Sequence, residues 1–413
     1  MFTSFSTALS ALNADTTAID VVGNNLANLN TAGFKASTVS FHDLVTQSIG
    51  AGLGATQVGF GVGTPITLRE FTQGAIQSTG GPLDAAIEGQ GFFIVQTPSG
   101  ATEYTRGGNF QVDENGNLTT ATGELLQGWT MTNGTLDTNA PTGNITVPVG
   151  SLAPPQATAN MSVDLNLNSA GTPGTPTGTF STSLQVYDSL GNAHTVTMTF
   201  TQTSTPNQWT YTASIPSADA TTVTPATGTL TFDSNGQLTS PAAGSTPPVI
   251  AATGMTDGAA DLSINWNLFN GTTSRITQFA QTSATSAVAQ DGAPAADLVS
   301  VGLANGGQVV AQYSNGQQMV VGQLAMAAIR NPESLIAVGN SNYQASALTA
   351  LPAVGLPGTG GRGNVLGGSV ESSTVDIAKE FTNLIVYQRS YEANAHVVTT
   401  VDQLSQDTIN LKQ

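Results

Sequence analysis

Two apolar stripes, one at each end of the chain, constrain this sequence more than anything between them. Val370, Ile377, Leu384, Tyr391 and Val398 recur every seven residues, with Phe381, Ala395 and Ile409 at offset positions. That 3.5-residue period is the seam geometry of a coiled coil. The opposite face carries Glu371, Asp376, Lys379, Glu380, Arg389 and Glu392, and neither glycine nor proline interrupts the run. A helix from Val370 to Leu411, at about 1.5 Å per residue, is a rod of roughly 60 Å. At the other end Phe2, Phe5, Leu9, Leu12, Ile19 and Leu26 follow 3-4-3 spacing, with Thr16 and Gly23 in the missing slots. One such stripe is ordinarily the inner face of a globular core. Two at the termini, where domains usually fray, predict helices that pair within one molecule and between neighbours.

Composition narrows the middle. Charged residues make up 8% and apolar ones 39%, with 46 glycines among 413 residues, which predicts folded β-rich domains rather than disorder. A net charge of −17 argues against nucleic-acid or anionic-membrane partners, both of which need a basic patch. No cysteine is present, so disulfides and thiolate metal sites are excluded. No basic segment followed by an apolar run marks a cleaved secretory signal, and no apolar run reaches the ~18 residues of a membrane span. By those rules alone the chain reads as cytoplasmic.

Taken in order, the first helix ends in Asn24-Asn25-Leu26-Ala27-Asn28-Leu29-Asn30-Thr31-Ala32-Gly33-Phe34-Lys35. Asn and Gly there suit a helix end and a sharp turn. Phe41, Leu44 and Val45 and a glycine-rich passage from Gly50 to Gly63 follow. Short strand runs with glycine turns then span Leu83–Val95 and Tyr104–Phe110. Asp113-Glu114-Asn115-Gly116-Asn117-Leu118 and Asp233-Ser234-Asn235-Gly236-Gln237-Leu238 read as hairpin turns. Neither is an EF-hand loop, because leucine occupies position 6, where glycine is required.

Between 145 and 289 strict alternation dominates. Val163, Leu165 and Leu167 share a face, as do Val196, Met198 and Phe200; Trp209, Tyr211, Ala213 and Ile215; and Leu262, Ile264, Trp266 and Leu268. This predicts antiparallel sheets with one buried face, a sandwich or small barrel. Strands resume at Val309–Tyr313 and Leu324–Ile329, making the block an insertion into an inner β domain. Leu356-Pro357-Gly358-Thr359-Gly360 matches a sortase signal but lacks the apolar span and basic tail that should follow. The overlapping G-x-G-x-x-G has no βαβ unit around it.

The expected architecture is mainly β with terminal α-helices. Residues 1–30 and 370–413 form a terminal helical domain with a coiled-coil-like pairing. Residues 31–80 and 351–369 form a glycine-rich connecting region, 81–144 and 290–350 an inner β domain, and 145–289 an outer β-sandwich or barrel inserted in it. His42, His194 and His396 fall one in each region and are expected at the surface. No catalytic motif, cofactor site or metal site is expected; a β-rich surface enzyme or adhesin leaves the terminal helices unexplained.

The run Asn24–Lys35, the strands from Leu83 to Phe110, the piece Val186-Tyr187-Asp188-Ser189-Leu190-Gly191-Asn192, and the segment Glu380–Asn394 together resemble the flagellar rod and hook family, axial proteins of the bacterial flagellum. The motif positions are Asn25, Asn28, Thr31, Gly33, Phe34, Lys35, Gln388, Arg389, Tyr391 and Asn394. The resemblance implies a non-enzymatic subunit that polymerises into the flexible joint between rod and filament, through Phe5, Leu9, Leu12, Ile19, Leu26, Ile377, Phe381, Leu384, Tyr391 and Val398. A distal-rod subunit is the alternative, which the large insertion disfavours. The resemblance also implies export by the flagellar type III apparatus to the cell exterior. Its expected partners are copies of itself, a hook-capping protein, rod proteins and hook–filament junction proteins.

Overall fold

The computed structural model describes residues 2–44, 46–49, 56–131 and 135–411, so Val45 and part of the Gly50–Gly63 passage lie outside the described residues. Two long helices, α1 (Phe2–Ala27) and α2 (Ile377–Asn410), bracket described residues that are mainly strands joined by loops. The contacts divide the chain into two units, one of residues 1–149, 300–311 and 318–413, the other of 150–299 and 312–317.

In the first unit, a sheet runs in the order Gln318–Leu324, Leu125–Thr130, Phe92–Gln96, Thr102–Thr105, Asn342–Gln344 and Ile336–Gly339. Its core is aromatic. Phe71 meets Phe92 and Tyr343 edge-on at centroid distances of 5.6 and 5.2 Å, a geometry that suits the ring quadrupoles. Two short ladders join sequence-distant segments of this unit: Asn364–Gly367 pairs with Ala85–Glu88, and Ser369–Glu371 with Ile76–Ser78.

That second ladder corrects the expected start of the C-terminal helix. Val370 is not on a helical stripe: it lies in a strand opposite Gln77. Helix α2 begins at Ile377, where the Asp376 carboxylate accepts from the Ala378 and Lys379 amides at 2.8 and 3.1 Å, an N-cap that satisfies two orphan donors. With 34 residues, α2 is about 50 Å long.

The second unit is a sandwich of two sheets. One runs Thr179–Tyr187, Ala193–Gln202, Gln208–Ser214, Ala226–Phe232, Leu238–Ser240, antiparallel throughout. The other runs Ala220–Thr224, Val249–Met255, Leu262–Trp266, Asn160–Asn168, Ile276–Phe279, with Ala284–Gln290 also on Asn160–Asn168. All four alternating sets point inward and are buried, with Trp266 edge-on to Tyr211 at 5.1 Å and to Phe200 at 5.9 Å. The expectation of purely antiparallel pairing fails in one place: Asn160–Asn168 pairs in parallel with both Leu262–Trp266 and Ile276–Phe279. Alternation reports which face is buried, not the direction of the neighbour.

The hairpin reading holds at both Asp-x-Asn-Gly turns. Asp113 Oδ1 accepts from the amides of Asn115 and Asn117, and Asp233 Oδ1 from those of Asn235 and Gln237. Gly116 and Gly236 supply the positive φ of +83° and +75°, which glycine adopts without a Cβ clash.

Candidate assembly interface

Helices α1 and α2 pack antiparallel. Asp15 accepts from Asn394 Nδ2 at 3.0 Å, and Asn25 Nδ2 donates to Glu380 Oε1 at 3.2 Å, so positions rising along one helix meet positions falling along the other. What is buried on α1 is small or polar: Ala8, Ala14, Asp15, Ala18, Val22 and Asn25. Ala8, Asp15, Ala18, Val22 and Asn25 lie on a single 3-4 spaced seam, and small side chains there let the backbones approach closely.

The large residues of the expected stripe lie one position off that seam. Phe5 is 41% exposed and Phe381 52%, and Leu9, Ile377 and Tyr391 are also exposed. Leu12, Ile19, Leu26, Leu384 and Val398 are half-buried. Ile385, Val386, Leu404 and Ile409 add further uncovered apolar surface on α2. This much uncovered apolar surface on a folded chain marks an interaction surface.

Beneath the helices sits a buried charged anchor built from the loop after α1. Asn28 and Thr31 order that loop: Asn28 Nδ2 donates to the Asn24 carbonyl at 2.9 Å, and Thr31 Oγ1 to Asn28 Oδ1 at 3.1 Å. Gly33 adopts φ +69°, and a Cβ there would sit 2.5 Å from the Arg106 backbone, so only glycine fits. Its amide donates to the Glu371 carbonyl at 2.8 Å, and the Phe34 carbonyl accepts from the Thr374 amide at 3.1 Å.

Lys35, which follows, is wholly buried. Its Nζ lies 2.7 Å from Glu371 Oε1 and donates to the Thr72 carbonyl at 2.6 Å. Arg106 Nη1 meets Glu371 Oε2 at 3.2 Å, and Nη2 donates to the Gly89 carbonyl at 2.8 Å. The guanidinium lies over the Phe92 ring at 5.3 Å. Two cations thus share one carboxylate, with two carbonyls and a ring face adding to their solvation, while Arg106 Nε is buried without a partner. Burial lowers the Lys35 pKa, and the charge and hydrogen bond of Glu371 oppose that shift.

Asn25 performs a parallel task. Its amide donates to the Ser37 carbonyl at 2.8 Å as well as to Glu380, and its Oδ1 accepts from the Ser37 amide at 3.0 Å. One buried side chain therefore ties α1, the following strand and α2 together. Of the C-terminal motif residues, Asn394 makes the Asp15 contact, Gln388 is exposed, and Arg389 forms an exposed pair with Glu392 at 3.0 Å.

Sequence reading missed Glu371, Arg106, Glu380 and Asp15 as positioning residues, and placed Glu371 and Glu380 on a solvated face. The structure buries both. A signal was present: in a chain with so few cations, Lys35 beside a structured turn needs a carboxylate.

His194 is a second correction. Expected at the surface, it is 8% exposed and faces three carboxylates: Nδ1 lies 2.9 Å from Asp219 Oδ2, and Nε2 lies 3.1 Å from Asp188 Oδ2 and 3.5 Å from Asp257 Oδ2. Asp219 and Asp257, 25 and 63 positions away, are brought to it only by the fold. No helix among the described residues is long and apolar enough to cross a membrane.

Comparison with known proteins gives a consistent result along the chain. Residues 5–35 match the family described as "Flagella basal body rod protein", 86–172 "Flagellar hook protein FlgE/F/G D1 domain", 166–293 "Flagellar basal body protein FlaE D2 domain", and 366–411 "Flagellar basal body rod FlgEFG protein C-terminal". The chain is 37% identical to the flagellar hook protein FlgE of Salmonella typhimurium over 425 residues, covering 99% of this chain and 100% of that one. It is 32% identical to that of Borreliella burgdorferi over 447 residues, covering both in full. In fold it is similar to the crystal structure of the Helicobacter pylori flagellar hook protein FlgE2, with a TM-score of 0.50 at 13% identity, covering 70% of this chain and 99% of that one.

Proposed function

This chain belongs to the flagellar hook protein family and is a structural subunit of the bacterial flagellar hook; we propose that its copies polymerise through the apolar faces that the paired terminal helices leave uncovered. The observation that carries this reading is the offset on α1 and α2. Within one molecule the pairing uses a seam of small residues, leaving Phe5, Leu9, Ile377, Phe381 and Tyr391 for neighbours. A tube built on these helices buries that surface, and burial of apolar area is the dominant favourable term in association.

The low charge of the two β units suits neighbours that slide past one another as a flexible joint bends and transmits torque. The buried Lys35–Glu371–Arg106 anchor would hold each helix pair to the first β unit, so that load on one reaches the other. Partners of the growing and finished assembly would be a hook-capping protein, rod proteins at the base and hook–filament junction proteins at the far end. Export through the flagellar type III apparatus, without a cleaved signal, would place the subunit outside the cell. The role is structural, with no catalysis.

Phe381→Asp tests the assembly face. This side chain is half exposed in the single chain, so the variant should fold and melt as the parent does. In the polymer the same charge would be buried without a partner, which costs several kcal/mol. Electron microscopy and sedimentation should show curved tubes from the parent and none from the variant. A variant that polymerises normally removes α2 from the interface.

A further inference from the structure

The second β unit holds a group of side chains that is not part of the assembly face proposed on α1 and α2. We propose that His194 Nε2, Asp188 Oδ2 and Asp257 Oδ2 form a binding site for a divalent transition-metal ion of the zinc class, oriented by Asp219. This does not rest on the assembly reading.

The first argument is geometric. The three ligand atoms lie within 4.8 Å of one another, and Nε2 is 3.1 Å from one oxygen and 3.5 Å from the other. Ligands on a tetrahedral zinc ion, with bonds of about 2.0–2.2 Å, stand roughly 3.3 Å apart. The nitrogen-to-oxygen spacings therefore bracket what the ion requires. Each ligand is also held in place. Asp188 Oδ1 accepts from the Leu190 and Asn192 amides at 2.8 and 2.9 Å, and Asp257 Oδ1 from the Ala259 amide at 3.0 Å. In both residues one oxygen orders a turn and the other is left to converge on the imidazole.

The second argument is the imidazole's far side. Asp219 Oδ2 lies 2.9 Å from Nδ1; an Nδ1–H donating there leaves the Nε2 lone pair free. A carboxylate behind a metal-ligating histidine fixes its tautomer and raises its basicity. Asp113 and Asp233 head turns with the same amide pattern as Asp188, yet only Asp188 is wholly buried and faces a histidine.

Charge supplies the third argument. Residues 150–299 contain no lysine and a single arginine, Arg275, which pairs with Asp164 at 2.8 Å. Among the described residues no arginine or lysine forms an ion pair with Asp188, Asp219 or Asp257. Three carboxylates facing one imidazole leave the group short of positive charge, which a divalent ion supplies. A bound ion and a proton on Nε2 exclude each other. The Asn192 amide, whose Nδ2 stands 3.3 and 3.1 Å from the two converging oxygens, can turn its carbonyl oxygen toward the ion as a fourth ligand.

The test uses the full chain, stripped with EDTA and dialysed against micromolar ZnCl2 at pH 7.5, with bound metal counted by elemental analysis and melting followed with and without zinc. We expect one equivalent retained and a higher melting temperature with zinc. Asp257→Asn should lose the retained equivalent and the zinc-dependent shift, and Asp219→Asn should bind about 10-fold more weakly. The double variant His42→Gln, His396→Gln should behave as the parent. If the zinc-free Asp257→Asn melt matches the zinc-free parent, loss of binding is loss of a ligand. If that melt is lowered, zinc binding by Asp219→Asn decides, and parental affinity there overturns the site. No retained zinc in the parent means that the pocket holds a proton only. Equal retention by Asp257→Asn would likewise refute the assignment.

Discussion

Lys35 Nζ lies 2.7 Å from Glu371 Oε1, an ion pair between residues 336 positions apart in which neither side chain is exposed. It fastens the turn after α1 to the strand before α2, so both helices leave the first β unit at a fixed place. Arg106 extends the anchor into that unit's sheet.

Glu371→Gln should therefore be among the most damaging single changes in the first unit. It leaves Lys35 and Arg106 buried without a counter-charge, a situation that costs about 3–5 kcal/mol. Lys35→Met should cost less, because Glu371 keeps Arg106 and the Gly74 amide at 2.7 Å. Urea unfolding of both variants measures the order, and a loss below ~1 kcal/mol for Glu371→Gln would show the anchor to be dispensable.

The seam between the helices gives a second expectation. Ala18 is buried where small residues bring α1 and α2 together. Ala18→Met should force them apart and destabilise the chain by about 1–3 kcal/mol, the usual cost of overpacking. The larger apolar residue should not rescue stability by burying more area; a variant as stable as the parent argues that the helices are loosely packed.

Glu380 makes the pairing sensitive to pH. Burial raises its carboxyl pKa, while the Asn25 hydrogen bond and the Lys379 charge act to lower it. Between the unfolded value of about 4.3 and the raised folded value, the folded chain holds more protons than the unfolded one. Stability from this group is fully present below the unfolded value and falls as pH rises through the folded value. Glu380→Gln, which can still accept from Asn25, should flatten that fall and be at least as stable as the parent at pH 8. Denaturant titrations from pH 4 to 8 that give parallel curves for both proteins would assign the slope elsewhere.

The second unit should fold without the first. Its two sheets bury Trp209 and Trp266 fully, so a fragment of residues 150–299 should show a β-type dichroism spectrum and a cooperative tryptophan-detected melt. A fragment cut at 145 and 289 should melt lower. It lacks Gln290, which accepts from Thr158 Oγ1 at 2.9 Å, and Asp291, whose Oδ1 accepts from the Ala159 and Asn160 amides at 2.8 and 2.9 Å. Equal melts would mean those contacts add nothing.

Much of this architecture was legible from spacing. The period of two in Trp209–Ile215 and Leu262–Leu268 named the buried face of each strand. Asp-x-Asn-Gly named the turns, and the stripes at either end named the helices, because side-chain direction along a strand or helix is fixed by local backbone geometry. Partner choice was not legible. Nothing local distinguishes Glu371 as an anion for Lys35 from Glu392 as an exposed surface charge, or turns Asp219 and Asp257 toward His194. The same holds for the one-position offset between the large apolar residues of α1 and the small ones that meet α2. These contacts join chain segments tens to hundreds of residues apart, so they exist only once the fold has closed the intervening loops. Local spacing along the chain sets the elements and their buried faces. Which charges are anchored, which helix face stays open and where carboxylates converge depend on the closed fold, because long-range closure sets each group's dielectric surroundings and its neighbours.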